Sequence, residues 1–411
     1  MGRGAIRGPA WPRHPDPRPA HRRPVATTRH LPLTRTAMRH FMILPLTLLA
    51  APVLANPAEV AQTYTAIAAA SYGDALTTAQ SLQTAVATLI ASPSDASLVA
   101  ARAAWIAARP AYMQTEAFRF GNPIVDDWEG RVNSWPLDEG LIDYVDPGFG
   151  QSEENPLANL NVVANPTLTI SGQSIDATQI TPALLSGTLQ QAGGVEANVA
   201  TGYHAIEFLL WGQDLNGTGA GAGARPFTDY ATGDACTNGN CDRRAAYLQV
   251  ATDLLVSDLA EMAANWAPGG AAATHISDDP AAALTAMLTG MGSLSYGELA
   301  GQRIRLGLML NDPEEEHDCF SDNTHNSFYY DGLGIQNVYL GHYTRTAGTV
   351  ITGPALSDLV AAADPAVDAQ LKSELAATMT ALTALKARAD TGMAYDQMIA
   401  PGNAEGGALI M

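Results

Sequence analysis

A chain of 411 residues, 47% apolar and 15% charged, has enough apolar sequence for a substantial core and a length that suits two domains or one large one. Its formal net charge is −19; with residues 1–55 set aside, which hold nine arginines and one aspartate, 13 basic and 40 acidic residues remain, a net of −27. Such a surface repels nucleic acid and anionic membrane, so neither is expected as a partner held by charge, while cations and simple solubility remain compatible with it.

Residues 1–37 are rich in Arg, Pro and His, show no apolar periodicity and build no core. A different signal begins at Met38. Arg39 is followed by a short apolar run, Phe41–Leu54, and by the small-residue exit Val53-Leu54-Ala55, the pattern of a secretory signal cleaved after Ala55. The run is too short and too broken by proline to span a membrane. Translation is therefore expected to start at Met38, with 1–37 a mis-assigned extension or, failing that, a disordered leader. The mature chain is expected outside the cytoplasm, in the periplasm, with peripheral outer-membrane association as an option.

The mature chain has helical periodicity. Ala-rich residues 58–91 place Ile67, Leu76, Leu82, Val86 and Leu89 at helical spacing. "SPSDAS" (92–97) ends that helix, with Ser94 or Asp95 capping the next, expected over 96–118. "GNPIVDDWEGRVNSWP" is expected as a loop and Leu137–Tyr144 as a short helix. In "SWPLDEG", Pro136 begins a turn and Trp135 packs, with a place in a pocket wall as the alternative. Residues 146–176 form an insertion rich in Pro, Asn and Gly in which "TLTISGQ" predicts a small β-hairpin. A helix over about 194–211 follows, then a glycine-rich connection (214–230) and a cysteine loop (231–242). Further helices are expected at about 243–265, 279–290, 292–310, 326–345, 355–363 and 366–390. Nothing has the alternation of a multistranded sheet. The fold class is all-α: two related helical-bundle halves, residues 56–213 and 243–411, joined by the linker 214–242. An internal echo supports the duplication. "GYHAIEFLLWGQ" aligns with "GLGIQNVYLGHY", with Leu333 in place of His204 and Gln336 in place of Glu207.

Of three cysteines, Cys236 and Cys241 flank an Asn-Gly turn in "CTNGNC", the spacing of a small local disulfide in an exported protein, with a Cys-pair metal site as the alternative that no nearby His or Cys completes; Cys319 is left over. No phosphate loop and no Gly-x-Ser-x-Gly elbow occurs.

The residues that carry chemistry begin with "GYHAIEFLLWGQ" (202–213). His204 and Glu207 lie one helical turn apart on one face, within an apolar run. Imidazole and carboxylate together suit a first-row transition ion; a buried hydrogen-bonded pair is the alternative. Glu116 in "YMQTEAFRFG" and Glu298 in "YGELAGQR" are candidate partners from other helices, or else pair with Arg119 and Arg303. "EHDCFSDNTH" (316–325) gathers Glu316, His317, Asp318, Asp322 and His325, a second oxygen-and-nitrogen site or a border of the first; helix capping by its Asp and Asn residues is the plain alternative. From this set, His204, Glu207, Glu116, Glu298, His317, Asp322 and His325 are the candidate metal residues.

Gly-x-His-x-x-Glu at Gly202, His204 and Glu207 resembles the signature of the imelysin family. The stretches 115–145, 229–248 and 297–341 are similar to its iron-regulated protein A branch. The resemblance implies an exported, all-α protein of two related halves with a site around the His and Glu near their junction, and a role in iron supply. It implies a bound metal ion, iron first, with zinc and calcium as alternatives, and other envelope iron-uptake proteins as partners. The family also carries a peptidase label, under which Glu207 would be the catalytic residue. Here the chemistry is incomplete. No His-Glu-x-x-His occurs, and Phe208 stands where the inverted motif needs its second His. A binding protein is therefore favoured over a metallopeptidase, with a module that binds a non-metal ligand or partner third.

Overall fold

The computed structural model describes residues 56–148 and 155–411; the leader and secretory signal expected over 1–55 lie outside the described residues. The architecture is all-α. Helix α1 (Pro57–Ala91) starts because Asn56 accepts from Glu59 N at 3.0 Å and Pro57 needs no amide partner in the first turn. Its buried face carries Val60, Tyr64, Ile67, Ala75, Leu82, Val86 and Leu89, the three-and-four spacing of one stripe. Ser94 caps α2 (Asp95–Met113), which ends five residues short of the expected 118; Glu116–Phe118 is a separate 3₁₀ turn. Residues 121–136, expected as loop, contain helix α3 (Pro123–Glu129): Asn122 caps it and Pro123 opens it, a start signal strong enough for a two-turn helix that buries Val125 and Trp128.

The helix expected over 137–144 is only the 3₁₀ turn Glu139–Leu141. The carbonyls of Gly140, Leu141 and Ile142 accept from Asn161, Val162 and Val163 at 2.9–3.0 Å, so a tertiary segment takes the acceptors a helix would use. The insertion holds the expected hairpin, β1 (Thr167–Ile170) against β2 (Gln173–Asp176), antiparallel with Ile170 opposite Gln173. A short helix α4 (Pro182–Leu184) runs into a π turn, Leu185–Leu189. Residues 195–201 are extended or bent, and α5 (Gly202–Trp211) is correspondingly shorter than expected. Gly202 sets that start. Its φ of +84° lies in the left-handed region, and a Cβ there would collide with the Val132 carbonyl.

Helix α6 (Cys241–Trp266) begins at the Cys236–Cys241 disulfide. It is followed by α7 (Ala271–Ser277), α8 (Pro280–Gly292), a π-type helix (Ser293–Arg305) continuing as α9 (Leu306–Leu310), and α10 (Thr324–Leu340). A second hairpin, β3 (His342–Thr344) with β4 (Val350–Thr352), follows; then α11 (Leu356–Ala363), α12 (Pro365–Asp390) and two short helices, α13 (Tyr395–Met398) and α14 (Ala404–Ile410). None of the described helices is long and apolar enough to cross a membrane.

Helix α1 packs along α2 and α6, α5 lies between α2 and α6, and α10 crosses α2 and α12. Contact between α10 and α2 is close because Gly334 lacks a Cβ; an added one would sit 2.6 Å from the Gln114 carbonyl oxygen. Every residue of α5 is buried, so His204 and Glu207 stand at the centre of the core. Arg225 and Arg244, both fully buried, share Asp143 and Asp229 (Arg225 to each at 2.9 Å), which ties the glycine-rich segment to the core through ion pairs instead of apolar side chains.

Candidate metal centre

The floor of the site is the α5 turn. His204 Nδ1 lies 3.0 Å from Glu207 Oε2, and both side chains are essentially inaccessible. Glu207 spends its other oxygen on the loop before α10: Ser321 N and Oγ both donate to Oε1, at 3.0 and 2.7 Å. Both Glu207 oxygens are thus engaged in hydrogen bonds. It acts on the imidazole. With Glu207 ionised, Nδ1–H donates and Nε2 presents its lone pair, the orientation in which a carboxylate holds a metal-ligating His.

From the same loop comes His317, expected as a candidate, with Asp318 beside it. A nitrogen of each His and an Asp318 oxygen lie within 4.8 Å of one another, and the two imidazole rings are 4.8 Å apart, edge to face. The Nε2 atoms of His204 and His317 are buried and have no hydrogen-bond partner. Leaving a buried donor or acceptor unsatisfied costs about 1–3 kcal/mol, so two such atoms on neighbouring imidazoles next to a carboxylate mark a place where a ligand would be stabilising. Soft-to-intermediate nitrogen donors with one oxygen fit a first-row transition ion.

Asp318 is held by α2. Arg109, fully buried, donates to Asp318 Oδ1 at 3.0 Å and to Asn133 Oδ1 at 2.7 Å. Asn323 and Ser327 donate to Oδ2 at 2.8 and 2.6 Å. Burial would raise the Asp318 pKa, but the Arg109 charge and these hydrogen bonds outweigh it and hold the carboxyl below its usual range. Burial and then the Arg109 charge push His204 down to about 3, and burial with the Arg303 charge pushes His317 well below its ordinary value, so both rings are neutral and able to ligate. Glu207 goes the other way: burial and the Asp318 charge raise it far above the carboxylate range.

A cavity of about 440 Å³ borders the site at His317, with Trp135 and Asn133 also among its lining residues. Trp135 stands edge-on to the His317 ring at 5.6 Å and so does wall the pocket. Asp126, Asp127, Glu129, Glu196 and Glu298 outnumber Arg119 and Arg303 on the cavity wall, which favours entry of cations.

The other sequence candidates fall elsewhere. Glu116 accepts from Tyr112 Oη at 2.9 Å and from Arg303 at 3.0 Å; Glu298 lies 3.5 Å from Arg303, which also pairs with Asp331 at 2.9 Å. This buried ion cluster lies on the Arg303 side of the vestibule, and the pairing with Arg303 is the alternative foreseen. His325 contacts Asp390 and Asn326, and Asp322 is set apart from the two imidazoles. Arg109, Ser321 and Ser327 went unforeseen. For Arg109 a signal existed: it follows Trp105 by four residues and precedes Tyr112 by three, on the apolar stripe of α2.

A family model described as imelysin matches residues 68–411. A segment of 72 residues is 39% identical to iron-regulated protein A of Synechococcus elongatus, covering 17% of this chain and one fifth of that relative's length. Two crystal structures share the fold. One, named as an iron-regulated protein A precursor from Parabacteroides distasonis, has a TM-score of 0.63 at 19% identity over 88% of this chain and 92% of its own. The other, an imelysin-like protein from Psychrobacter arcticum, has a TM-score of 0.53 at 16% identity over 87% and 92%.

Proposed function

The chain belongs to the imelysin family, and from that premise we propose that it is an exported metal-binding protein of the cell envelope, whose ion is iron. His204, His317 and Asp318 would hold the ion, with Glu207 fixing the His204 tautomer and Arg109 fixing Asp318. The observation that carries this reading is the grouping of His204, His317 and Asp318 ligand atoms within 4.8 Å, with both imidazole Nε2 atoms buried and unpartnered. Iron is chosen over zinc because two of the similar proteins bear the name iron-regulated protein A; the donors themselves suit either. Its task would be iron uptake or handling, in contact with other envelope iron-uptake proteins.

The test is elemental analysis of protein purified without chelator or His tag, with anaerobic Fe²⁺ titration, for wild type, His204→Ala and His317→Ala. Wild type should hold about one ion per chain, and each variant should lose tight binding while melting cooperatively. A metal-free wild type that takes up neither Fe²⁺ nor Zn²⁺ would refute the proposal. Chelator-sensitive peptide cleavage that disappears in Glu207→Gln would move the protein to the peptidase reading.

A further inference from the structure

A second group of carboxylates lies on the other side of the 313–320 loop. A cavity of about 10 Å³, room for a single water-sized particle, is lined by Glu139, Asp214, Glu314 and Glu316 with Pro313, Cys319 and Phe320. The four acids come from three separate segments: the 3₁₀ turn before the insertion, the connection just after α5, and the loop before α10. Glu316 is 1% exposed, and although its Oε2 accepts from Thr324 at 2.7 Å, its Oε1 has no partner. Glu139 is 2% exposed and accepts from Gln213 at 2.8 Å. Nearby, Asp396 is 1% exposed with both carboxylate oxygens unpartnered, and the Asp322 Oδ1 is likewise buried and unpartnered.

We propose that this cavity is a separate site for a hard divalent cation, of the calcium class, held by carboxylate oxygens of Glu139, Asp214, Glu314 and Glu316. A buried carboxylate oxygen without a partner, as Glu316 Oε1 is here, is costly unless protonated or bound to a cation; Asp214 is half-buried and Glu314 exposed. The charged groups acting on Glu139, Asp322 and Asp396 are all acidic: Asp138 on the first, Asp214 on the second, Asp322 and Asp214 on the third. Among the described residues no guanidinium pairs with Glu139, Asp214, Glu314 or Glu316, unlike the Arg303 and Arg225 clusters. The donors are oxygens apart from one sulfur, and the space matches one ion, which fits Ca²⁺ better than a nitrogen-seeking transition metal. Bound there, the ion would clamp the end of α5 and the Glu139 turn to the loop that also delivers His317 and Asp318. The inference does not depend on the transition-metal reading, because no residue is shared between the two ligand sets.

Terbium luminescence tests it. Trp135 donates its indole N–H to the Glu316 carbonyl at 2.6 Å, so an ion in the cavity lies within range for energy transfer from that ring. Tryptophan excitation of the full chain with Tb³⁺ should give sensitised emission that Ca²⁺ displaces. Asp214→Asn with Glu139→Gln should weaken Tb³⁺ binding about tenfold or more, with an unchanged far-ultraviolet circular dichroism spectrum; His204→Ala should leave it unaltered. Folded wild type with no Ca²⁺-displaceable emission overturns the proposal. So does emission that survives the double substitution, or that is lost in His204→Ala.

Discussion

Glu207→Gln separates a residue that orients a ligand from one that is a ligand. The amide is nearly isosteric with the carboxylate, and its orientation is not free. Ser321 N–H points at Oε1 from 3.0 Å and the Ser321 hydroxyl from 2.7 Å. An NH₂ group placed there would face a backbone N–H, so the amide oxygen takes that position and the NH₂ turns to His204 Nδ1, 3.0 Å away in the wild type. Nδ1 must then accept, which puts the ring proton on Nε2 and closes the lone pair aimed at the site. Substitutions of such outer partners lower metal affinity by about 10–100-fold, or about 1.4–2.8 kcal/mol. Stability should change little, because the amide nearly matches the carboxylate in shape and keeps both Ser321 and His204 as partners. Competitive titration with a chromophoric chelator, beside thermal melts, measures both. Affinity equal to wild type would show that Glu207 does not control the His204 tautomer. A loss as complete as in His204→Ala would show that Glu207 itself ligates.

Arg109→Leu should destabilise the fold by about 3–5 kcal/mol, because Asp318 is left buried without its counter-charge; chemical denaturation with a loss below about 1 kcal/mol would contradict the ion-pair account. Gly202→Ala should cost about 3 kcal/mol and displace α5, since it combines a left-handed φ with a collision at the Val132 carbonyl; an unchanged melting temperature would argue against it. Burial raises Glu139 from 4.5 to about 7, even though Gln213 donates to it. The folded chain therefore binds that proton more tightly than the unfolded chain. Its contribution is complete below about pH 4.5 and is lost as pH rises through 7, a swing of about 3 kcal/mol. In metal-free protein Glu139→Gln should flatten the stability profile between those values and be the more stable form at pH 8; an unaltered slope would refute the assignment.

Much of the fold was legible because its signals are local. The Ser94 cap, the three-and-four apolar spacing of α1 and the hairpin at 167–176 depend on neighbours a few residues away. The errors have tertiary causes. Residues 137–144 lose their helix to hydrogen bonds from 161–163, and at the start of α5 the Tyr203 N–H donates to the Val132 carbonyl instead of to a preceding turn. In α3 the Asn122–Pro123 start was present in the sequence, but the segment is too short for periodicity to stand out.

At the site, sequence alone determined that an imidazole and a carboxylate share one face of a buried helix, since i and i+3 spacing settles that whatever packs around it. It also determined that a loop dense in donors lies between Glu316 and His325. Which donors meet was decided only in three dimensions. Ser321, 114 residues along the chain, takes up one oxygen of Glu207; Arg109 keeps Asp318 charged; and Arg303 claims Glu116. The physical reason is range. Helical spacing is a property of a single turn of backbone, whereas burial, counter-charges and unsatisfied lone pairs exist only after distant segments have closed over one another and excluded water.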